Sequence, residues 1–401
     1  MNQNLKIVAI VYHGRSGSFF LQSLLDNHPE LFGIPGSYFG KYFSWFSNQN
    51  PNATYKELIQ KFTDNFSYFF DANDPIPKSY GFDQMGENKD QKIEISKVEF
   101  IQNLENAIKS FDRPNRREFF FAIHSAYALC LGENLDNKKA IVYHIHHPHP
   151  DFCRMLISDF PQTKFIHTTR EPIQGLLSLF KHMYSGYSVK NPRSYCVADI
   201  FWSMARGAYP MDLNYIESSR MLKLEGLHEK PKEVLLNLIK FLDIKWDDNL
   251  MESTFNGLKW WNLKAAIQVT GFNSQTTKAG RYSELTNFFD SYRYKILFYP
   301  FSRILKYPNI PFPLYILGLF FMPLLLIFPF KIEWIGLRYA DKRGFSLVKN
   351  FLFTRFVLFR MFLLIHFGIK IILRKPFVDF LERGIFRHSS IKLLTYDSVQ
   401  S

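Results

Sequence analysis

Residues 5–31 read LKIVAIVYHGRSGSFFLQSLLDNHPEL. Leu5 to Tyr12 is a β-branched apolar run of buried-strand length. From Ser18 the apolar residues recur at helical spacing, and Pro29 closes that pattern. Between the two lies a short loop in which Gly14 and Gly17 let the backbone turn tightly and approach a ligand closely. A strand, a tight loop and a helix start offer unpaired N–H donors and the positive end of a helix dipole. That is an anion site suited to a phosphate. Ser16 and Ser18 add hydroxyls, and Arg15 adds a permanent charge with a fork of donors. The triphosphatase pattern, GxxxxGK followed by Ser or Thr, is not met, because Ser18 follows Gly17 and no Lys lies in the loop. This disfavours an ATPase or an ordinary P-loop kinase.

Further along, strand-like and helical runs alternate. Glu118–Ile123 (EFFFAI), Ala140–Ile145 (AIVYHI), Lys164–Thr168 (KFIHT) and Arg220–Leu224 read as strands. Helices are expected near 54–70 and 96–111, over Asp151–Phe160, from Pro172, over about 197–216, and over Pro231–Leu242. Asp71–Lys92 reads as a loop. Strands alternating with helices predict the α/β class, with a parallel sheet covered on both faces.

A second chemical element is Lys164–Ser178, KFIHTTREPIQGLLS. A strand ends, Arg170 follows, Pro172 opens a helix, and Ser178 lies eight residues after the Arg. An Arg at the carboxyl end of a strand sits where open α/β sheets bind their ligands.

Taken together, the two segments resemble the sulfotransferase family. The loop of its Golgi-type and bacterial carbohydrate branches looks like RSGS, which Arg15, Ser16, Gly17 and Ser18 match. Its 3′-phosphate element pairs an Arg with a Ser eight residues on, as Arg170 and Ser178 do, with Pro172 near the Arg. Leu222–Pro231 (LKLEGLHEKP) is similar to a family strand ending in Glu. Lys278–Leu285 (KAGRYSEL) is similar to a late Gly-Arg-Tyr segment near the donor, which brings in Lys278, Gly280 and Arg281. Phe19 stands where a second hydroxyl is common, so the 5′ side has one donor fewer. The resemblance covers residues 5 to about 290. It implies a P-loop-NTPase-like parallel sheet and transfer of a sulfuryl group from 3′-phosphoadenosine-5′-phosphosulfate (PAPS) to a hydroxyl or amine, with no metal. Arg15 would then stabilise charge on the leaving nucleotide. A non-catalytic nucleotide-binding or membrane adaptor on the same fold stays open as an alternative.

The acceptor needs a general base. Ala140–Pro150 reads AIVYHIHHPHP, with His144, His146, His147 and His149 as candidates, and His146 fits the family's HxP spacing. A His suits a base at neutral pH. His124 is a rival, and Ser37 leaves the Glu option of other branches empty. A dense His tract can hold zinc. Here two prolines and irregular spacing argue against a preformed metal site.

The net charge is +13, with 43 Phe among 401 residues. From Lys331 onward 13 Lys and Arg face 5 Asp and Glu, a net of +8, so the first 330 residues carry only +5. Ile310–Phe330 has no charge, and Ser346–Leu373 is apolar but interrupted by basic residues. Basic plus apolar reads as a membrane surface and not as a nucleic-acid partner. Ile310–Phe330 has the length to span a bilayer, although four prolines favour a hairpin or a monotopic anchor. Residues 1–290 are read as the PAPS-binding α/β domain and 291–401 as a hydrophobic, basic helical extension. Cys130, Cys153 and Cys196 form no framework. The N-terminus shows no secretory cleavage pattern, so a cytoplasmic enzyme attached to the membrane by its C-terminal region is expected.

Overall fold

The computed structural model describes residues 5–12, 15–36, 38–111, 113–146, 150–184, 197–198, 200–201, 204, 217–262, 270–278, 280–337, 344–367 and 392–394. Strand β1 (Lys6–Tyr12) leads into α1 (Ser18–Leu25) and the short β2 (Leu31–Gly33). Four helices follow: α2 (Tyr42–Ser47), α3 (Tyr55–Asn65), α4 (Pro75–Lys78) and α5 (Lys97–Ile108). Then come α6 (Arg116–Cys130), β3 (Ala140–His146), α7 (Pro150–Asp159), β4 (Lys164–Thr169) and α8 (Pro172–His182). Strand β5 (Ser219–Lys223) precedes α9 (Leu224–Glu229), α10 (Pro231–Leu242) and the hairpin β6 (Thr254–Phe255) and β7 (Leu258–Lys259). The C-terminal part holds α11 (Phe288–Leu297), α12 (Tyr299–Ile304), α13 (Phe312–Leu325), α14 (Lys331–Leu337), α15 (Gly344–Phe367) and an edge strand β8 (Lys392–Leu394).

The main sheet runs β2-β3-β1-β4-β5-β8, and each pairing in it is parallel. Alternation along the strands assigns each face to a core. Ile7, Ala9, Val11, Ile141, Tyr143 and Ile145 face the layer of α2, α3, α5, α6 and α7. Val8, Ile10, Val142, Ile166 and Leu222 face α1, α9 and α10. This is the expected α/β class, a P-loop-like parallel sheet flanked by helices. From β1 the chain winds toward β2 and β3, and from β4 toward β5, so the carboxyl ends of β1 and β4 border a topological switch point.

One element departs from expectation. Glu118–Ile123 is not a strand but the first half of α6. Asn115 and Glu118 form a capping box that nucleates a helix, and Phe119–Ala128 are buried all round. A helix covered on every side loses the one-sided periodicity that distinguishes it from a buried strand. The expected loop 71–92 contains the single turn α4, which Asp74 caps. Most of the helix expected over 197–216 lies outside the described residues.

In the C-terminal part, Ile310–Phe330 yields α13, a helix of 14 residues. At 1.5 Å per residue that is about 21 Å, short of the roughly 30 Å of a hydrocarbon core. Pro323 in its last turn removes a backbone donor and Pro329 follows, so the helix ends early. Among the described residues no helix is long and apolar enough to cross a membrane, which corrects the spanning option for this stretch. The helical extension is present. One apolar cluster runs from Leu176, Leu177, Leu179 and Phe180 of α8 through Tyr294 and Leu297 of α11 to Met322, Leu358 and Met361.

Candidate functional site

The loop after β1 leaves the sheet at its switch point and ends in a strained turn. Arg15 has φ +60° and Gly17 φ +84°, both in the left-handed region. Such residues turn successive N–H groups to one side, as in anion-binding nests. Gly17 is the N-cap of α1 and makes no side-chain cap, whereas α3, α5, α6 and α8 are capped by Thr54, Ser96, Asn115 and Glu171. The first N–H groups of α1 are thus left for a ligand. A Cβ at position 17 would stand 2.3 Å from Leu224 Cδ1, so glycine is required by both conformation and space. Ser16 and Ser18 are buried, and Ser16 Oγ lies 2.9 Å from Thr168 Oγ1, which ties the loop to the end of β4. His13 and Gly14 lie outside the described residues.

Arg170 follows β4 directly, on the other side of the same crevice. Its Nη2 donates to the Thr276 carbonyl at 2.8 Å, while its buried Nε has no partner. Arg281 Nη1 donates to the same carbonyl at 3.0 Å. Gly280, at φ +76°, makes the turn that returns Arg281 and Tyr282 to α8. The Tyr282 hydroxyl donates to Ser178 Oγ at 3.2 Å, and Arg15 Nε donates to the same oxygen at 3.4 Å. Three segments distant in sequence, the loop after β1, α8 and the turn at 280–282, therefore meet at Ser178. Lys278 is exposed, and its carbonyl accepts from the Arg281 N–H.

The charge around this point is unbalanced. Among the described residues Arg15, Arg170 and Arg281 have no carboxylate partner, whereas Lys181, 5.7 Å from the Tyr282 ring, pairs with Glu284 at 3.3 Å. Burial holds the Arg15 guanidinium below its usual range; Tyr282 counteracts this, while Arg170 and Arg281 add to it. Burial raises the Tyr282 phenol, but the Ser178 hydrogen bond and then Arg170, Arg281 and Arg15 leave it below its ordinary value. The nearby carboxylates are committed elsewhere. Glu171 accepts from the Ile173 and Gln174 N–H groups at the start of α8, so that helix end is already capped. Glu225, the acid expected at the end of β5, accepts from the Glu171 N–H and the Tyr307 hydroxyl. It is a brace between β5, α8 and the C-terminal part.

The histidines separate by environment. His144 is buried edge-on to Phe19, and burial first, then His146, holds its pKa well below the usual range. His124 is not at a strand end but inside α6, bonded through Nδ1 to the Phe120 carbonyl, and burial lowers it to about 4. Both are poorly matched to accept a proton at neutral pH. His146 is exposed at the last position of β3, in register with Tyr12 at the end of β1. That puts it at the same end of the sheet as the loop. Ser37, His147 and His149 lie outside the described residues. No three His, Cys, Asp or Glu side chains converge among the described residues.

The sulfotransferase-family pattern matches residues 8–248, 241 of the 401 residues, from within β1 to the loop after α10. The chain belongs to the sulfotransferase family. Among solved structures, it is similar to the sulfotransferase domain from the curacin biosynthetic pathway, at 14% identity and TM-score 0.43, over 76% of this chain and 99% of that one. A second is the sulfotransferase domain of the Synechococcus PCC 7002 olefin synthase, at 14% identity and TM-score 0.41, over 77% and 97%. A sulfotransferase from Mycobacterium avium follows at 13% identity and 0.31, over 62% and 66%. No curated protein matches the sequence.

Two residues of this sulfotransferase fold were not singled out from the sequence. Tyr282 was visible only as part of the Gly-Arg-Tyr segment, and its contact with Ser178 is 104 positions away in sequence. Gln174 lies one helical turn before Ser178, and its buried Oε1 has no partner. The i, i+4 spacing to Ser178 was the available signal.

Proposed function

We propose that this sulfotransferase takes PAPS as donor and transfers its sulfuryl group to an acceptor hydroxyl. One observation carries the reading: three arginines without carboxylate partners, from three separate segments, lie around Ser178 beside an uncapped helix start. A ligand with two phosphate groups satisfies them. The 5′-phosphosulfate belongs at Arg15, Ser16, Gly17 and Ser18, against the N–H groups of α1. The 3′-phosphate belongs at Arg170 and Ser178, with Arg281 and Tyr282 completing that side and Lys278 at its rim.

Sulfuryl transfer is an in-line displacement akin to phosphoryl transfer. The acceptor oxygen forms a bond to sulfur as the bond from sulfur to the bridging phosphate oxygen breaks, and that oxygen keeps the electron pair. Arg15 stabilises the developing charge by preorganised electrostatics, since a guanidinium does not release a proton near neutral pH. His146 takes the acceptor's proton. A lipid, glycolipid or glycan is the acceptor class that the apolar, basic C-terminal stretch supports. The test is transfer of labelled sulfate from PAPS to a membrane lipid extract, with Arg15→Ala as control. Absence of transfer by the wild type, together with equal affinity for adenosine 3′,5′-bisphosphate and adenosine 5′-monophosphate, would overturn the reading.

A further inference from the structure

The C-terminal helices reverse the usual soluble pattern. α13 buries Tyr315, Gly318 and Met322 and turns Phe312, Leu314, Leu317, Phe320, Phe321 and Leu324 outward, with Phe320 82% exposed. α15 turns Val348, Phe351, Leu352, Phe353, Phe356 and Phe359 outward. Its arginines point inward. Arg355 donates to the Leu326 and Phe328 carbonyls and pairs with Glu333, and Arg360 is 2% exposed. From α11, the fully buried Arg293 donates to the carbonyls of Leu325, Phe328 and Pro329. Carbonyls at and beyond the end of α13, which water would satisfy on an ordinary surface, are met by the buried Arg293 and the partly buried Arg355.

We propose that the outward faces of α13 and α15 are immersed in one leaflet of an anionic lipid bilayer. Cations and carbonyls paired inside, with Phe and Leu outside, are what an apolar medium demands, because it offers a polar backbone group no partner. An apolar patch this large on water marks an interaction surface. Its described outward positions bear no hydrogen-bonding side chain. A protein partner would be met by roughly one hydrogen bond per 100–200 Å², so fluid hydrocarbon fits better than a second copy. α13 is too short to span and α15, although 24 residues long, is not apolar enough, which limits insertion to one leaflet. Trp334, 60% exposed on α14, is the residue type that settles at the headgroup level. With the inward Arg355 and Arg360 and the paired Glu333 set aside, 11 Lys and Arg against 4 Asp and Glu remain from Lys331 onward, a net of +7 that complements anionic headgroups. The inserted helices share a core with α8, which carries Ser178, so the phosphate site is held rigidly to the membrane-bound part.

The test uses the full chain and vesicles of phosphatidylcholine with a minority of phosphatidylglycerol. The protein is expected to float with the vesicles and to stay with them in high salt, because screening does not weaken apolar insertion. Brominated lipid should quench its tryptophan fluorescence, and Trp334→Phe should remove part of that quenching. Phe320→Asp with Phe353→Asp should lower the vesicle-bound fraction roughly tenfold or more, while calorimetric binding of adenosine 3′,5′-bisphosphate stays unchanged. That second readout separates failure of the membrane face from failure of the donor assignment. A wild-type chain that stays monomeric without detergent and does not float would overturn the proposal, since the chain itself would then cover the face. A lipid-indifferent dimer would overturn it in favour of a second copy.

Discussion

Arg170→Ala is the substitution that isolates the 3′-phosphate assignment. The Arg170 guanidinium is held from one side only. Nη2 donates to the Thr276 carbonyl at 2.8 Å, and the buried Nε has no partner. Removing it does not orphan that carbonyl, because Arg281 donates to it at 3.0 Å. It also takes away one of the charges that hold Arg15 below its usual range. The fold should therefore survive, and the loss should fall on the ligand. A charge-assisted hydrogen bond contributes about 1.5–3 kcal/mol, so a 3′-phosphate on Arg170 should raise affinity by roughly 10- to 150-fold. Titration calorimetry with adenosine 3′,5′-bisphosphate and with adenosine 5′-monophosphate reads that ratio. The wild type should prefer the bisphosphate within this range, and Arg170→Ala should remove most of the preference while leaving monophosphate binding within a few-fold. Equal affinities in the wild type would refute the assignment. So would a variant that weakens both nucleotides by the same factor.

Other outcomes follow from the same geometry. Arg15→Ala should lower kcat by about 10²–10³-fold with little change in stability, as when one preorganised donor to a developing oxyanion is removed; Arg15→Lys should keep part of the rate, and an unchanged kcat in the alanine variant would dismiss the role. Gly17→Ala forces a Cβ into the left-handed region and onto Leu224 Cδ1, so thermal unfolding should show a loss of more than about 1 kcal/mol; Leu224→Ala in addition should relieve the clash but not the backbone strain. Burial lowers His124 and His167 to about 4, so both fold neutral, and the stability this represents is present above the unfolded pKa near 6.5 and is lost as pH falls toward 4. At pH 5 that is on the order of 2 kcal/mol for each. Asp26, raised by burial to about 6, opposes this by on the order of 1 kcal/mol. Urea midpoints should therefore be lower at pH 5 than at pH 7, and a higher midpoint at pH 5 would contradict the burial of His124 and the desolvation of the half-buried His167.

Much of this molecule was legible in one dimension. The strand LKIVAIVY, the loop RSGS and the amphipathic helix behind it are contiguous, so local sterics and periodicity expose them. Arg170, Pro172 and Ser178 were readable for the same reason. So were Ala140–Ile145 and Lys164–Thr168, each one residue longer in the structure, and Pro231–Leu242, whose backbone preferences agree with their burial. The class of fold was therefore determined by sequence alone, and the two segments on which the proposed donor site rests were already legible there.

Tertiary structure decided what depends on neighbours far along the chain. EFFFAI is helical behind the Asn115–Glu118 capping box, but the layer around it buries every side, which erases the one-sided pattern a reader relies on. Tyr282 reaches Ser178, and Arg281 shares a carbonyl with Arg170, only because the chain returns to α8 a hundred residues later. The histidines of AIVYHIH, two apart and so on one face of the strand, look equivalent in the sequence, but Phe19 covers His144 whereas His146, the last residue of the strand, is left exposed. In the tail, composition announced basic and apolar residues together. It took packing to send Arg293, Arg355 and Arg360 inward and the phenylalanines outward, since direction on a helix surface is set by what the opposite face is pressed against.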